Sequence, residues 1–425
     1  MRLICGPETF KLPVSSGALR VILYGQRDTP AHGSAGHSAK RKIQRRRLEP
    51  APRSWDLLSI ALSVVTADFA DLRRASADGW TRNLGLDIAV ADPDFWNGQS
   101  GALAAALSFL TTDRWALRFH SGGLLPPPLP QPVRPPEDCV MLLSGGLDSL
   151  VGALDLVHAG HKPFAVSQIV RGDAAKQVNF AARVGGGLNH LQLNHNAVTP
   201  GTHESSQRSR SLIFITFGVL AATALQRYYD AHTVPLYLCE NGFIAINPPL
   251  TGGRLGSLST RTAHPEFLGR LQRVLDAAGL RVRIDNPYAL KTKGEMLREC
   301  RDQTLLAAEA VRSTSCGRFQ RFNYCHCGRC VPCQVRRAAF LAWDSVPDKT
   351  RYVYKRIGRN DNDHARFDDV RSVAIALAAV QTEGIDAWLG HALGSPLLHD
   401  RNAVRAMLER GLSELKALHK AYGVK

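Results

Sequence analysis

Cys139-Val-Met-Leu-Leu-Ser144-Gly145-Gly146-Leu147-Asp148-Ser149-Leu-Val-Gly152 joins an apolar run to a small, hydroxyl-bearing, glycine-rich turn and then resumes with helical spacing. Val140 to Leu143 reads as a buried strand, and Asp148 or Ser149 suits the first turn of a helix running to about His158. The free N–H groups and dipole of such a helix start attract anions. Gly145 and Gly146 carry no Cβ to obstruct a ligand, and Ser144 and Ser149 add hydroxyl donors. This is the pattern of a phosphate cradle.

No lysine follows the glycines, so the loop is not of the Walker type. The string Ser144-Gly145-Gly146-Leu147-Asp148-Ser149 instead resembles the signature of the PP-loop, or N-type, ATP pyrophosphatases. Those enzymes hold the pyrophosphate end of ATP here and transfer AMP to an oxygen of the substrate. The resemblance implies a HUP-like α/β fold with a doubly wound parallel sheet.

Five of the nine cysteines fall between Cys316 and Cys333. Cys327, Cys330 and Cys333 follow a C-x-x-C-x-x-C spacing, which folds thiolates back into a knuckle. Cys316 supplies a fourth sulfur and Cys325 is its rival. Four sulfurs suit tetrahedral Zn2+; an iron–sulfur cluster uses the same ligands, and a disulfide pair is the third reading. Cys5, Cys139, Cys239 and Cys300 are scattered and read as structural thiols in a reducing cytoplasm.

The loop and the knuckle, followed by Arg336-Arg337-Ala-Ala-Phe340, together resemble the 7-cyano-7-deazaguanine synthase (QueC) family over about residues 138 to 345. Arg210-Ser-Leu-Ile-Phe214 is similar to that family's Arg-Asn-x-x-Phe, and Thr292-Lys293-Gly294-Glu295 to its Thr-Lys-x-Glu. The resemblance implies adenylation of 7-carboxy-7-deazaguanine, with ATP and Mg2+ as cofactors and a structural zinc. By the same match, Asp148 and Lys293 belong to the catalytic group, Lys293 neutralises charge at the α-phosphate, and Arg210 lies near nucleotide or substrate. Attack on an α-phosphate independently asks for cationic donors and a magnesium ion.

Departures matter too. Where the synthases carry Tyr-Gly-Gln-Arg-His, this chain has Ser167-Gln168-Ile169-Val170-Arg171-Gly172-Asp173. Their Asp-containing loop ending in Tyr-Pro-Asp is replaced by Glu240-Asn241-Gly242, Asn247-Pro248-Pro249 and Ser259-Thr260-Arg261-Thr262-Ala263-His264-Pro265-Glu266-Phe267. Glu240 is the candidate carboxylate for a guanine-like edge, because one carboxylate accepts two hydrogen bonds at once. Capping of the Asn-Gly turn is its other reading. Arg261 and His264 are candidates for substrate or phosphate contact, against an exposed His-Pro turn.

With 425 residues, the chain exceeds the matched segment at both ends. Residues 1–125 read as an added N-terminal α+β module: strands in Met1 to Gly25, Leu84 to Ala89 and Trp115 to Phe119, and a helix from Trp55. Periodicity is lost at about 27–53, where Lys40 to Arg47 holds six basic residues in eight. That segment reads as a disordered basic insert, able to meet RNA, DNA or an acidic protein without specificity. Residues 126–136 form a proline-rich linker, an extended spacer that bounds the 137–345 domain. Within that domain, strands and helices alternate, with a long helix near 211–229. Residues 346–425 follow as a helical cap with helices in Ser372 to Val380, Gly384 to Leu393 and Ala403 to Ala421.

The net charge of +16 favours anionic partners without specifying one. No signal peptide is read, and the apolar run from Leu212 to Leu225 is too short to span a bilayer, so a soluble cytoplasmic protein is expected. The long form resembles the QueC-like component of bacterial antiphage defence systems of the Qat type. That resemblance implies a partner protein encoded nearby and amide formation onto its amine. The alternatives are nitrile formation with ammonia and a non-catalytic nucleotide-binding scaffold.

Overall fold

The glycine-rich turn lies at the centre of one of two parallel sheets in the computed structural model, which describes residues 1–12, 17–126, 128–251, 261–358, 369–393, 398 and 400–424. Pro127, Ser259 and Thr260, which belong to segments singled out in the sequence, lie outside the described residues.

The first sheet takes β1 (Arg2–Gly6), β2 (Leu19–Leu23) and β3 (Gly33–Ala35). After α1 (His37–Arg45) and α2 (Pro52–Ala70) come β4 (Asn83–Ala89), α3 (Pro93–Thr111) and β5 (Arg114–His120). The second is built from β6 (Cys139–Leu142), α4 (Leu147–His158), β7 (Pro163–Gln168), α5 (Ala174–Arg183), β8 (His190–Leu193), α6 (Arg210–Ala222), α7 (Gln226–Tyr229), β9 (Val234–Tyr237), α8 (Gly242–Ile246), α9 (Pro265–Ala277) and β10 (Val282–Asp285). Then follow α10 (Lys293–Glu299), α11 (Gln303–Glu309), α12 (Val331–Ala342), α13 (Asp369–Glu383), α14 (Ile385–Leu389) and α15 (Arg401–Ala421).

The strand orders are β3-β2-β1-β4-β5 and β10-β9-β6-β7-β8, with every pairing parallel. Taken from its other edge, the second sheet repeats the first: third, second, first, fourth, fifth. This is the doubly wound α/β arrangement, which binds ligands where the strand order reverses, beyond the first strand. The Ser144–Ser149 loop follows β6 at that position.

The N-terminal module is therefore parallel α/β rather than α+β. The element that changes the module's class is α3, unread in the sequence, whose start is marked by Asp92 accepting from Phe95 N–H and by Pro93 in its first turn. A helix between β4 and β5 forces them parallel.

The basic insert is ordered. Ala39 and Ile43, four apart, bury one face of α1. Lys42 Nζ donates to Gln192 O at 2.7 Å, and Arg46 donates to Asn189 Oδ1 and His190 O at 3.0 and 2.5 Å. Carbonyl acceptors at β8 offset the self-repulsion that the charge run implied. Ser34 and Val198 exchange both backbone bonds at 2.9 Å, so this segment clasps the two sheets together.

The proline-rich linker does not stand off as a spacer. Val133 N–H donates to Arg47 O at 2.8 Å, Gln226 N–H to Pro135 O at 2.9 Å, and the Arg134 guanidinium lies 3.7 Å from the Tyr229 ring centroid.

Beneath it, α2 packs on α6 and α3 on α9. Ser54 through Asp68 are all buried, as expected of a helix apolar on most sides. One core takes in Leu57, Leu58 and Val64 of α2 with Phe217, Val219, Leu271 and Val274. Each such side chain contributes roughly 1.5–3 kcal/mol of transfer free energy. The helix expected over 211–229 breaks at Thr223–Leu225 into α6 and α7.

The C-terminal helices form their own core, in which Met407, Leu408, Leu412 and Leu415 of α15 meet Phe243, Val331 and Val335. Among the described residues, no helix is long and apolar enough to cross a membrane.

Candidate functional site

Gly145 takes φ +86°, a left-handed turn that a side chain would strain, and a Cβ there would touch Asp173 and Gln177 at 3.4 Å. Ser144 Oγ accepts from Gly146 N–H at 3.2 Å and lies 3.1 Å from Ser149 Oγ, which in turn donates to Gly146 O at 3.0 Å. Gln177 Nε2 donates to Ser144 O and Gln168 O at 3.1 and 3.0 Å, tying the loop to α5. Gly146 is the N-cap of α4 and has no side chain to close that end, so the first turn faces the cleft with its dipole.

Asp148 is buried at 6% exposure and fixed by three donors. Asn241 N–H and Nδ2 reach Oδ2 at 3.2 and 2.7 Å, and Lys293 Nζ donates to Oδ1. Burial opposes ionisation of Asp148, but the Lys293 charge and these bonds outweigh it and hold the carboxyl below its usual range. Lys293 is the first residue of α10. Thr292 caps that helix by accepting from Glu295 N–H at 3.1 Å, while Glu295 Oε2 accepts from Thr292 N–H at 2.8 Å.

Glu240 completes the group. Its backbone is paired with the Asn286 side chain, and its carboxyl feels the charges of both Asp148 and Lys293. Burial and the Asp148 charge raise it to about 8, against the opposing pull of Lys293. Two carboxyl groups and one ammonium thus lie together behind the loop. That donor set suits a hard divalent cation, which would ionise Glu240.

Arg210 opens α6 and has no hydrogen-bond partner among the described residues. Burial and the Arg210 charge press His195 down to about 4, and Asp173, beside Gly145, is the anion bearing on Arg210. The geometry brings together Ser144, Gly145, Gly146, Leu147, Asp148, Ser149 and Lys293 with Glu240 beside them, and gives Arg210 no hydrogen bond or ion pair with this group among the described residues.

Arg261 and His264 are grouped elsewhere. His264 caps α9 by accepting from Glu266 N–H at 3.2 Å, and its ring lies 5.0 Å from that of Phe109 on α3. Burial and Arg261 push this imidazole down to about 4. Arg261 donates to Phe109 O at 3.1 Å and lies over the same ring. Both residues join the two sheets' helices.

Sequence reasoning missed a second ring around the loop. Lys176 Nζ donates to Thr314 Oγ1 and to Asp173 Oδ1, and lies 4.2 Å from the Phe319 ring centroid. Burial lowers the affinity of Lys176 for its proton. Thr314 N–H donates to Gly145 O at 3.0 Å. The Lys176 and Thr314 positions are 138 apart, so no local pattern pairs them. Asn241 carried a signal, since Asn before a short helix is a preferred cap.

Two residues beyond Thr314, Cys316 joins Cys327, Cys330 and Cys333 in a cluster whose sulfurs all lie within 4.8 Å of one another. Cys316 accepts from Cys327 N–H at 3.3 Å, and Cys327 from Cys330 N–H at 3.3 Å. Such N–H···S bonds stabilise thiolates, and the closed four-sulfur set is compatible with tetrahedral zinc. Cys325 is not in the cluster. Arg336 is buried and donates to Ser313 Oγ, Ser315 Oγ and Ala310 O, so it braces the strand between knuckle and loop. Asp138, Cys139 and His161 also converge, but Asp138 already accepts from His161 Nδ1 and Lys162 N–H at 3.1 and 2.9 Å.

No protein-family model matches the chain. It is 34% identical over 91 residues to the 7-cyano-7-deazaguanine synthase of Methanocaldococcus jannaschii, spanning 21% of this chain and 39% of that protein. It is 25% identical over 229 residues to the 7-cyano-7-deazaguanine synthase of Thiobacillus denitrificans, spanning 50% of this chain and 97% of that protein. These weak, partial likenesses support a QueC-like relationship.

Proposed function

We propose that this protein binds ATP at the Ser144–Ser149 loop and adenylates the carboxylate of a 7-deazaguanine, then joins the acyl group to an amine. The observation that carries this reading is the loop at the switch point with Asp148, Glu240 and Lys293 gathered behind it. The likeness to 7-cyano-7-deazaguanine synthases supports a deazaguanine substrate and C–N bond formation.

The loop N–H groups and the hydroxyls of Ser144 and Ser149 would hold the pyrophosphate end, with Asp148 and Glu240 available to Mg2+. In this reading Glu240 serves the metal rather than the guanine-like edge. Mg2+ would supply charge neutralisation for the leaving pyrophosphate. Arg210 and Lys293 would stabilise charge on the α-phosphate. A substrate carboxylate oxygen attacks the α-phosphorus and pyrophosphate leaves. The amine nitrogen then attacks the acyl carbon, AMP leaves, and the amine proton passes to solvent or a cleft base. Arg261 and His264 are proposed to act on substrate only through the α9 junction. The four cysteines are proposed to hold zinc structurally.

For the acceptor, we favour an amine on a partner protein in a Qat-type antiphage system, in the cytoplasm. The departures from the synthase pocket after β7 and β9 are what favour it. Ammonia as acceptor is the second reading and rests on the two synthase likenesses: it gives the amide, and a second ATP would adenylate the amide oxygen, whose loss as AMP leaves the nitrile.

Incubation with ATP, Mg2+ and 7-carboxy-7-deazaguanine, resolving AMP from ADP and weighing products and partner, tests the proposal. AMP with a partner heavier by the deazapurine acyl group supports it; AMP with free nitrile restores the synthase; absence of AMP leaves a nucleotide-binding scaffold. Resistance to phage that survives Ser144→Ala with Asp148→Ala would also exclude catalysis.

A further inference from the structure

The two cations proposed to act on the α-phosphate each stand at the first position of a helix: Arg210 opens α6 and Lys293 opens α10. That is the unfavourable end of the macrodipole for a positive charge. An anionic cap offsets it, and in each case the carboxylate comes from outside the β6–β10 unit.

Ahead of α6, the N–H groups of Arg208 and Ser209 and the Ser209 hydroxyl all donate to Asp68 Oδ2, at 2.7, 2.9 and 2.8 Å. Asp68 lies on α2 and is fully buried; its other oxygen accepts from Arg82 Nη2 at 2.6 Å. At α10, Thr292 Oγ1 donates to Glu414 Oε1 at 2.5 Å. Glu414 lies on α15, 122 positions from Thr292. A Cβ at Gly294 would collide with Glu414 Oε1, so the glycine leaves room for the carboxylate. Thr292 therefore accepts from Glu295 and donates to Glu414 through the same oxygen, fixing the backbone from which Lys293 reaches Asp148.

We propose that Asp68 and Glu414, one from each flanking region, are positioning residues that set Arg210 and Lys293 for the reaction at the Ser144–Ser149 loop. The proposal deepens the adenylation reading above and rests on it. The flanking regions then act as parts of the site, and neither Asp68 nor Glu414 touches the reacting atoms.

The test is single-turnover AMP formation from Mg·ATP and 7-carboxy-7-deazaguanine. Wild type is compared with Asp68→Asn, Glu414→Gln and, as control, Glu409→Gln, an exposed α15 residue paired with Arg405. Amplitude reports the folded, competent fraction, whereas the rate constant reports placement. Misplacing a catalytic group by an ångström costs up to about a hundredfold, so we expect rate constants lowered between about tenfold and a hundredfold at preserved amplitude, with the control unchanged. Reduced amplitude at an unchanged rate constant would overturn the proposal and leave Asp68 and Glu414 as fold residues. If Asp68→Asn does not fold, Ser209→Ala, which removes one of the three bonds, takes its place under the same criterion.

Should wild type form no AMP, the adenylation reading fails by itself. The positioning of Lys293 is then read by acetylation with an N-hydroxysuccinimide ester and peptide mass analysis. Glu414→Gln should raise labelling of Lys293 severalfold over both wild type and Glu409→Gln, and equal labelling in all three refutes it.

Discussion

Lys293 Nζ donates to Asp148 Oδ1 across 145 positions of sequence, with both side chains less than a tenth exposed. The pair ties the first helix of the second sheet to the helix that follows its last strand. It also places an ammonium beside the loop expected to receive phosphate.

Removing one partner should cost more than removing both. Lys293→Met leaves the Asp148 carboxylate buried with only the Asn241 donors, and loss of one member of a buried pair typically costs roughly 3–5 kcal/mol. Denaturant titration of Lys293→Met should show a loss of that order. Asp148→Asn with Lys293→Met should regain much of it while AMP formation stays abolished. A double variant no more stable than Lys293→Met would show that the pair is not coupled.

Stability should fall as pH rises toward 8. Burial and the Asp148 charge raise Glu240 to about 8 in the fold, from an ordinary value of 4.5. Between those values the folded state holds a proton that the unfolded state has lost, so stability declines with rising pH. A tenfold change in proton affinity corresponds to about 1.4 kcal/mol, so Glu240→Gln should be more stable than wild type by at least about 1 kcal/mol at pH 8.5. The difference should vanish near pH 4.5. Thermal melts of both proteins across this range measure it, and saturating Mg2+ should shrink the gap if the metal binds this carboxyl pair.

Metal loss should be felt at the Ser144–Ser149 loop. Thr314 bonds Gly145, and two residues later Cys316 enters the four-sulfur cluster. Cys316→Ser should release bound metal, lower the melting temperature by about 5 °C or more and weaken ATP binding. Cys325→Ser should change none of these, because that thiol stands outside the cluster. Elemental analysis and calorimetry on the two variants decide the ligand set, and iron in place of zinc would refute the metal assignment.

The part of the chain that carries the second sheet should not survive alone. A fragment beginning at residue 137 uncovers the faces of α6 and α9 that α2 and α3 bury, leaving Phe217, Val219, Leu271 and Val274 open to water. We expect it to be insoluble or to bind a hydrophobic dye strongly, as large exposed apolar faces do. A soluble, cooperatively melting fragment would contradict the shared core.

Much of the second sheet is legible in the sequence because its rules are local. An apolar strand followed by Ser-Gly-Gly and a helix start reads as a strand–turn–helix with a candidate cradle, and the cysteine spacing reads as a knuckle. The basic segment around Arg41 reads as disordered because charge runs usually solvate; the acceptors on Gln192, Asn189 and His190 that order it are some 140 to 150 residues away. The module's class differs from expectation because α3 escapes the periodicity reading, although Asp92-Pro93 marks its start.

The sequence by itself determined the glycine-rich turn between β6 and α4, the alternation that makes the second sheet parallel, and the cysteines that converge, since each depends on backbone preference and spacing over a few residues. Tertiary structure decided between Cys316, the sulfur the sequence favoured, and Cys325, and it alone placed Arg261 and His264 at the α3 junction, Asp68 on Arg208 and Ser209 ahead of α6, and Glu414 on Thr292 ahead of α10. Those choices depend on which distant surfaces bury one another, and a carboxylate in one helix carries no local mark of the helix it will cap.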